Sequence, residues 1–160
     1  MDKKISKLGL GTGNIASFGR SLSFKKAKRL FDLALDINIS TIDTSDTYGS
    51  GDAERLIGKI IKDKRKDIFI ISKVGYPYIG LPEFLSPLNQ FGKKLLQGLK
   101  FKKRFQKKYI LSGVEKSLRR LNINYLDAYL LHDLSLDDIS MYNDECFEAL
   151  YLIKKKGLSR

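Results

Sequence analysis

Apolar and polar positions along the chain switch repeatedly between a strand period and a helix period, and the switches predict strands and helices in alternation. Lys7 to Thr12, KLGLGT, reads as a short strand that ends in a glycine-rich turn. From a cap at Ser23 to about Asp36, the residues Ala27, Leu30, Phe31, Ala34 and Leu35 recur at helical spacing and form one apolar stripe. The β-branched run Ile39 to Ile42 predicts a second strand. It is followed by a Ser/Thr/Asp/Gly loop and a helix capped by Asp52, with Leu56, Ile57 and Ile60 turned inward. Asp67 to Lys73, DIFIISK, is the plainest strand, and its four consecutive apolar residues predict burial on both faces.

From Val74 to about Lys108 the periodicity fails. Pro77, Pro82 and Pro87 mark an irregular, partly aromatic stretch, and FGKKLLQGLKFKKRFQKK adds a basic one. A connection of this length leaves the same end of the strand as Lys73 and is expected to lie over any site there. Tyr109 to Leu121 then predicts an amphipathic helix, with Ile110, Val114, Leu118 and Leu121 on the apolar face and Glu115, Lys116, Arg119 and Arg120 away from it. Asn122 ends that pattern. Tyr125 to Leu131, YLDAYLL, is a strand that delivers His132 and Asp133 at its end. Met141 to Lys156 closes the series as a helix with Phe147, Leu150, Tyr151 and Ile153 apolar and Gly157 at its carboxyl end. The order β-α-β-α-β-α-β-α predicts a parallel sheet with right-handed crossovers, so all strands end on one side of the sheet.

The length of 160 residues suits one domain with a sizeable core. A complete eightfold β/α barrel needs about 250 residues. With one cysteine, Cys146, and one histidine, His132, the sequence excludes an internal disulfide and the usual Cys/His zinc set, so no metal is expected. No apolar run approaches the roughly 20 residues of a membrane span. The cysteine usage and the absence of a secretory apolar segment at the amino terminus place the expectation in the reducing cytoplasm. The net charge of +12 raises an anion- or nucleic-acid-binding reading. The excess charge is concentrated in the basic stretch, so a solvated segment accounts for it and a nucleic-acid partner is not the expectation.

Taken singly, Asp43 and Tyr48 fit capping and packing in a loop, and Lys73 fits a surface lysine with a buried stem. Together they read differently, because Asp43, Tyr48, Lys73 and His132 follow the ends of the second, third and fourth predicted strands and therefore converge. A free tyrosine, with a pKa of about 10, exchanges protons poorly at neutral pH. An ammonium beside a phenol stabilises the phenolate, and a carboxylate beside the ammonium holds it in place and charged. Tyr48, Lys73 and Asp43 are the residue types for those roles, and a neutral imidazole at His132 can orient and polarise a carbonyl oxygen. The glycines of KLGLGT fit either a plain turn or a loop that lets a ligand come close.

The run Asp43 to Gly58 follows D-T-S-x-x-Y-G-x-G-x-x-E-x-x-[LI]-G, which resembles the aldo-keto reductase signature. IISKVG around Lys73 and YILSGVEKSLRRLNINYLDAYLLHD through His132 resemble the same family, over nearly the whole chain except the insertion at about 74–108. The resemblance implies a fold class: an α/β, parallel (β/α)4 half of a TIM-type (β/α)8 barrel, with residues 1–160 as its amino-terminal half. It implies an NAD(P)H-dependent oxidoreductase that reduces an aldehyde or ketone, or oxidises the corresponding alcohol. In it Tyr48, Lys73, Asp43 and His132 form the catalytic tetrad, Tyr48 donates the proton and the nicotinamide delivers hydride. Gly11, Thr12 and Asp43 are implied at the nicotinamide end of NADPH or, less often in this family, NADH. The family holds the rest of the cofactor with later strands. A four-stranded sheet curved for a barrel leaves two unpaired edges. The expectation is therefore a fragment of a longer or interrupted reading frame, or else self-association or a complementing half-barrel. Two other readings of the residues stand beside this one: a non-catalytic half-barrel acting as a binding or regulatory subunit, and an anion or nucleic-acid binder through Lys93 to Lys108.

Overall fold

Parallel strands with helical crossovers are what the alternating pattern requires, and a computed structural model of the chain has them; it describes residues 5–16, 21–78 and 102–160. The strands are β1 (Gly9–Gly11), β2 (Thr41–Asp43), β3 (Phe69–Val74) and β4 (Ala128–Leu131), all parallel and adjacent in chain order. The helices are α1 (Phe24–Asp36), α2 (Asp52–Ile61), α3 (Lys107–Leu121) and α4 (Leu136–Lys155). Consecutive helices pack side by side, α1 on α2, α2 on α3 and α3 on α4. Strands that progress in one direction, under a continuous layer of helices, are the winding of a β/α barrel; a doubly wound sheet reverses its strand order. The expected half-barrel is thus the observed fold. Beyond α4, Ser159 makes a parallel bridge to Leu126, so the chain returns to the sheet beside β4.

The core lies between sheet and helices. Ile42, Ile70, Val74 and Tyr129 face Ala53, Ile57, Ile61, Ile110, Val114 and Leu118 there. Along β3 burial alternates: Ile70, Ser72 and Val74 are buried, whereas Phe69, Ile71 and Lys73 are half-buried. The expected burial on both faces is therefore corrected. Along β3 and β4 the helix side of the sheet is the covered one, and the face that bends inward in a barrel keeps Leu130 44% exposed.

Local sequence accounts for most element ends. Ser23 accepts from the backbone N–H of Lys26 and starts α1. Asn122, at φ 53°, stops α3 in a left-handed turn that asparagine tolerates better than most residues. Three expectations are corrected. Asp52 is the first residue of α2 rather than its cap, a place taken by Gly51, and its carboxylate accepts from Arg55. Helix α4 begins at Leu136, not Met141, because Ser135 and Asp138 form a reciprocal capping box. Its buried face runs through Cys146, Ala149 and Ile153, leaving Phe147 and Tyr151 63% and 64% exposed. The insertion at about 74–108 is described only at its two ends. There Arg104 N–H donates to the Gly75 carbonyl at 2.8 Å, Phe105 is fully buried, and α3 starts two residues before the predicted Tyr109. Residues 79–101, with Pro82, Pro87 and most of the Lys93 to Lys108 stretch, lie outside the described residues.

Helices α2 and α3 approach closely at Gly58. A Cβ placed there would stand 2.7 Å from the Leu121 carbonyl carbon and 2.9 Å from the Arg120 oxygen, both backbone atoms. Gly58→Ala is therefore expected to push the helices apart and lower stability by about 1–3 kcal/mol, the usual cost of overpacking, as read by urea denaturation.

Candidate active site

The strand register places the site. Asp43 ends β2 and is paired with Gly11 of β1 and Ile71 of β3, and Lys73 stands two residues further along β3. His132 follows β4 and donates its backbone N–H to the Val74 carbonyl at 2.8 Å. Tyr48 opens a tight 3-10 turn, Tyr48–Gly51, in which Gly49, Ser50 and Gly51 all have positive φ. Gly49 is required there: a Cβ at its φ of 58° would sit 2.5 Å from the Ala16 oxygen. The turn carries the chain into α2 and leaves the Tyr48 ring lying against Gly13.

All four residues expected to converge do so, around Lys73. Its ammonium pairs with Asp43 Oδ1 at 2.6 Å and donates to the Thr44 carbonyl at 2.9 Å and to the Tyr48 hydroxyl at 3.5 Å. An ammonium has three hydrogens to donate, and these acceptors match them. The Tyr48 and His132 rings meet edge to face with centroids 5.9 Å apart, and Tyr76 meets the other side of the imidazole in the same way at 5.3 Å. Burial, helped by Lys73 and Lys103 and opposed by Asp133 and Asp43, holds the His132 pKa below the ordinary histidine value. The imidazole is therefore neutral at physiological pH.

Gly11 and Thr12 occupy the neighbouring strand end. A Cβ on Gly11 would meet nothing within 4 Å, so the space beside this strand is open. Thr12 is fully buried, and its hydroxyl donates to the Asp43 carbonyl at 2.9 Å. It thus braces Asp43 rather than facing open space. Among the described residues no cluster of His, Cys, Asp and Glu side chains could hold a metal ion, and no helix is long and apolar enough to cross a membrane.

Behind the site lies a polar network that the periodicity of the sequence does not reveal. Glu54 is completely buried; it accepts from Ser72 Oγ at 2.6 Å and from Arg120 Nε at 2.6 Å. The amphipathic pattern puts Arg120 on the outer face of α3. Its side chain instead turns under Tyr78 to meet Glu54, and Ser117 accepts from it at 3.2 Å. Asp46 is also buried. Its burial and then the Glu54 carboxylate push its carboxyl up to about 8, against Arg120 and hydrogen bonds from Ser45 and Thr47. Ser45 joins this network to the site, since its hydroxyl lies 3.3 Å from Asp46 Oδ1 and 3.1 Å from His132 Nδ1. A serine and a second aspartate inside the loop after β2 were the available signal; both read as ordinary loop residues.

The Asp46 shift has a sign that can be checked. An acid with a folded-state pKa of about 8, against an ordinary value of 3.8, binds its proton more tightly when folded. Its stabilising contribution is present in full below the ordinary value and is lost as pH rises through about 8. Urea midpoints between pH 5 and pH 9 are expected to fall more steeply for the natural chain than for Asp46→Asn.

The family model described as the aldo/keto reductase family matches residues 7–160. An uncharacterized oxidoreductase of Bacillus subtilis, YqkF, is 30% identical over 161 residues, covering 99% of this chain and 44% of the relative. Among solved structures, the holo form of aldo-keto reductase AKR11C1 from Bacillus halodurans superposes with a TM-score of 0.74 at 32% identity, over 98% of this chain and 44% of that one. An aldo-keto reductase from Klebsiella pneumoniae in complex with NADPH gives 0.66 at 26% identity, over 95% and 42%. The chain spans about half the length of the relatives it matches. With the signature run on β2 and α2, the lysine on β3 and the histidine after β4 all in one parallel sheet, the chain belongs to the aldo/keto reductase family.

Proposed function

We propose that this chain supplies the proton-donating side of an NAD(P)H-dependent carbonyl reductase, with Tyr48 as acid, Lys73 and Asp43 as its electrostatic support, and His132 as the group that orients the carbonyl oxygen. The observation that carries this reading is the Lys73 ammonium held between the Asp43 carboxylate at 2.6 Å and the Tyr48 hydroxyl at 3.5 Å. As a phenol loses its proton to a carbonyl oxygen, negative charge develops on the phenol oxygen. A fixed ammonium beside it stabilises that charge without having to reorganise. The neutral His132 imidazole adds a hydrogen bond to the same carbonyl oxygen and carries no surplus proton that would compete with Tyr48 as the donor. A nicotinamide, when bound, supplies the reducing equivalent to the carbonyl carbon.

The residues fit such a cofactor at its nicotinamide end. The open side of Gly11 leaves space for a flat ring, and Asp43, braced by Thr12, keeps part of its side chain accessible for a polar contact. NADPH is the nucleotide we favour, because the Klebsiella pneumoniae relative is described in complex with it. We place residues 1–160 as the first half of the barrel. The substrate is a small aldehyde or ketone, the reverse reaction is oxidation of the alcohol, and the compartment is the cytoplasm. Titration of the full chain with NADPH and NADH, followed by nucleotide fluorescence, tests the cofactor assignment. Saturable binding that is tighter for NADPH is expected, and absence of binding for both would contradict it.

A further inference from the structure

Ser45 is completely buried, and its one hydroxyl is in demand. It lies 3.1 Å from His132 Nδ1, 3.1 Å from Thr47 Oγ1, 3.3 Å from Asp46 Oδ1 and 3.5 Å from the Lys73 carbonyl, and it accepts from the Thr47 backbone N–H at 3.3 Å. A serine hydroxyl has one hydrogen and two acceptor positions. Where that hydrogen goes decides the tautomer of His132. If it goes to Nδ1, the ring hydrogen stands on Nε2, the nitrogen that makes no hydrogen bond among the described residues. If it goes instead to an Asp46 carboxylate, to Thr47 Oγ1 or to the Lys73 carbonyl, the ring contact is made only when Nδ1 carries the ring hydrogen and donates it to Ser45, and Nε2 is left as a bare acceptor. Only the first arrangement can donate a hydrogen bond to a carbonyl oxygen.

We propose that Ser45 is a positioning residue that fixes His132 as the Nε2–H tautomer by donating to Nδ1, and that the buried Asp46 carboxyl, 3.3 Å from the same hydroxyl, governs whether that hydrogen is free to go there. The inference rests on the reading of His132 as the carbonyl-facing group. The surroundings of both ionisable groups support it. Asp46 is faced by Glu54 of α2 and Arg120 of α3, by Tyr109 of α3 and Tyr129 of β4, and by Tyr78; burial and Glu54 outweigh Arg120, so the acid form prevails below about pH 8. His132 is faced by Lys73, Lys103, Asp43 and Asp133 and by the Tyr48 and Tyr76 rings, and burial keeps it neutral. Two neutral groups thus flank the serine at physiological pH. As pH rises through about 8, the Asp46 carboxylate competes for the hydrogen on Ser45, and the Nε2–H form loses ground.

His132 is the only histidine in the sequence, so the tautomer can be read directly. The full chain, labelled with 15N-histidine, would give one pair of ring nitrogens in a long-range 1H–15N correlation spectrum. At pH 7 the natural chain is expected to show Nε2 as the protonated nitrogen. In Ser45→Ala the ratio of Nε2–H to Nδ1–H should fall by roughly fivefold, the equivalent of one ordinary hydrogen bond. Between pH 7 and pH 9 the same ratio should fall in the natural chain and stay flat in Asp46→Asn, whose amide donates at every pH. A natural chain protonated on Nδ1, a ratio unmoved by Ser45→Ala in a folded sample, or a pH response retained in Asp46→Asn would each overturn the proposal. The spectrum reports on the imidazole whether or not a carbonyl is turned over, so failure of this inference and failure of the reductase reading are seen separately.

Discussion

Tyr48→Phe is expected to lower NADPH-dependent carbonyl reduction by roughly 10²–10⁴-fold, the range supplied by a positioned general acid. The ring stays, so its edge-to-face contact with His132 and its packing on Gly13 are retained, and only the hydroxyl that accepts from Lys73 is removed. Affinity for the nucleotide should change little, because Gly11, Thr12 and Asp43 are untouched. Steady-state turnover and nucleotide titration on the same preparation separate the two effects. A variant that keeps its turnover would show that the proton comes from elsewhere.

The second large effect is on stability. Arg120→Ala leaves the Glu54 carboxylate buried without its cation, and breaking a buried pair from one side costs about 3–5 kcal/mol. The Glu54 side chain has no exposed surface and that of Arg120 only 11%, so water cannot readily replace the lost partner. The pair ties the first turn of α2 to the end of α3, and Ser72 ties Glu54 to β3. Replacing both partners with apolar residues of similar size, Glu54→Leu with Arg120→Met, should recover much of the loss, since no uncompensated charge is left behind. Urea denaturation of the single and double variants measures both quantities. A single variant within about 0.5 kcal/mol of the natural chain, the spread of a neutral surface change, would mean the pair is not the support described here.

How far the fold was legible follows from what each signal depends on. Strand and helix order, the parallel sheet and the ends of β2, β3 and β4 follow from periodicity, which is local, and that is enough to bring Asp43, Lys73, Tyr48 and His132 to one side of the sheet. Glu54 was visible as part of the signature run, yet its partner was not. A helical wheel puts Arg120 with its charged neighbours on the outer face of α3, and only the crossing of α3 over α2 shows that its side chain folds back to a buried carboxylate. Ser45 and Asp46 are hidden for a similar reason, since Lys73 in β3, Arg120 in α3 and His132 after β4, which they meet, lie far along the chain. The start of α4 was missed because Leu136 to Ser140 lacks a clear apolar stripe; the Ser135–Asp138 box, a capping signal rather than a periodic one, begins that helix.

The central claim is that Asp43, Lys73 and Tyr48 work as one unit, and a double-mutant cycle in carbonyl-dependent NADPH oxidation tests it most directly. Lys73→Met should reduce turnover strongly in the natural chain and hardly at all once Tyr48 is already Phe, because an ammonium that acts through the phenol has nothing left to act on. Losses that instead multiply, with Lys73→Met costing the same factor in both backgrounds, would show that the lysine and the tyrosine contribute independently and would contradict the account.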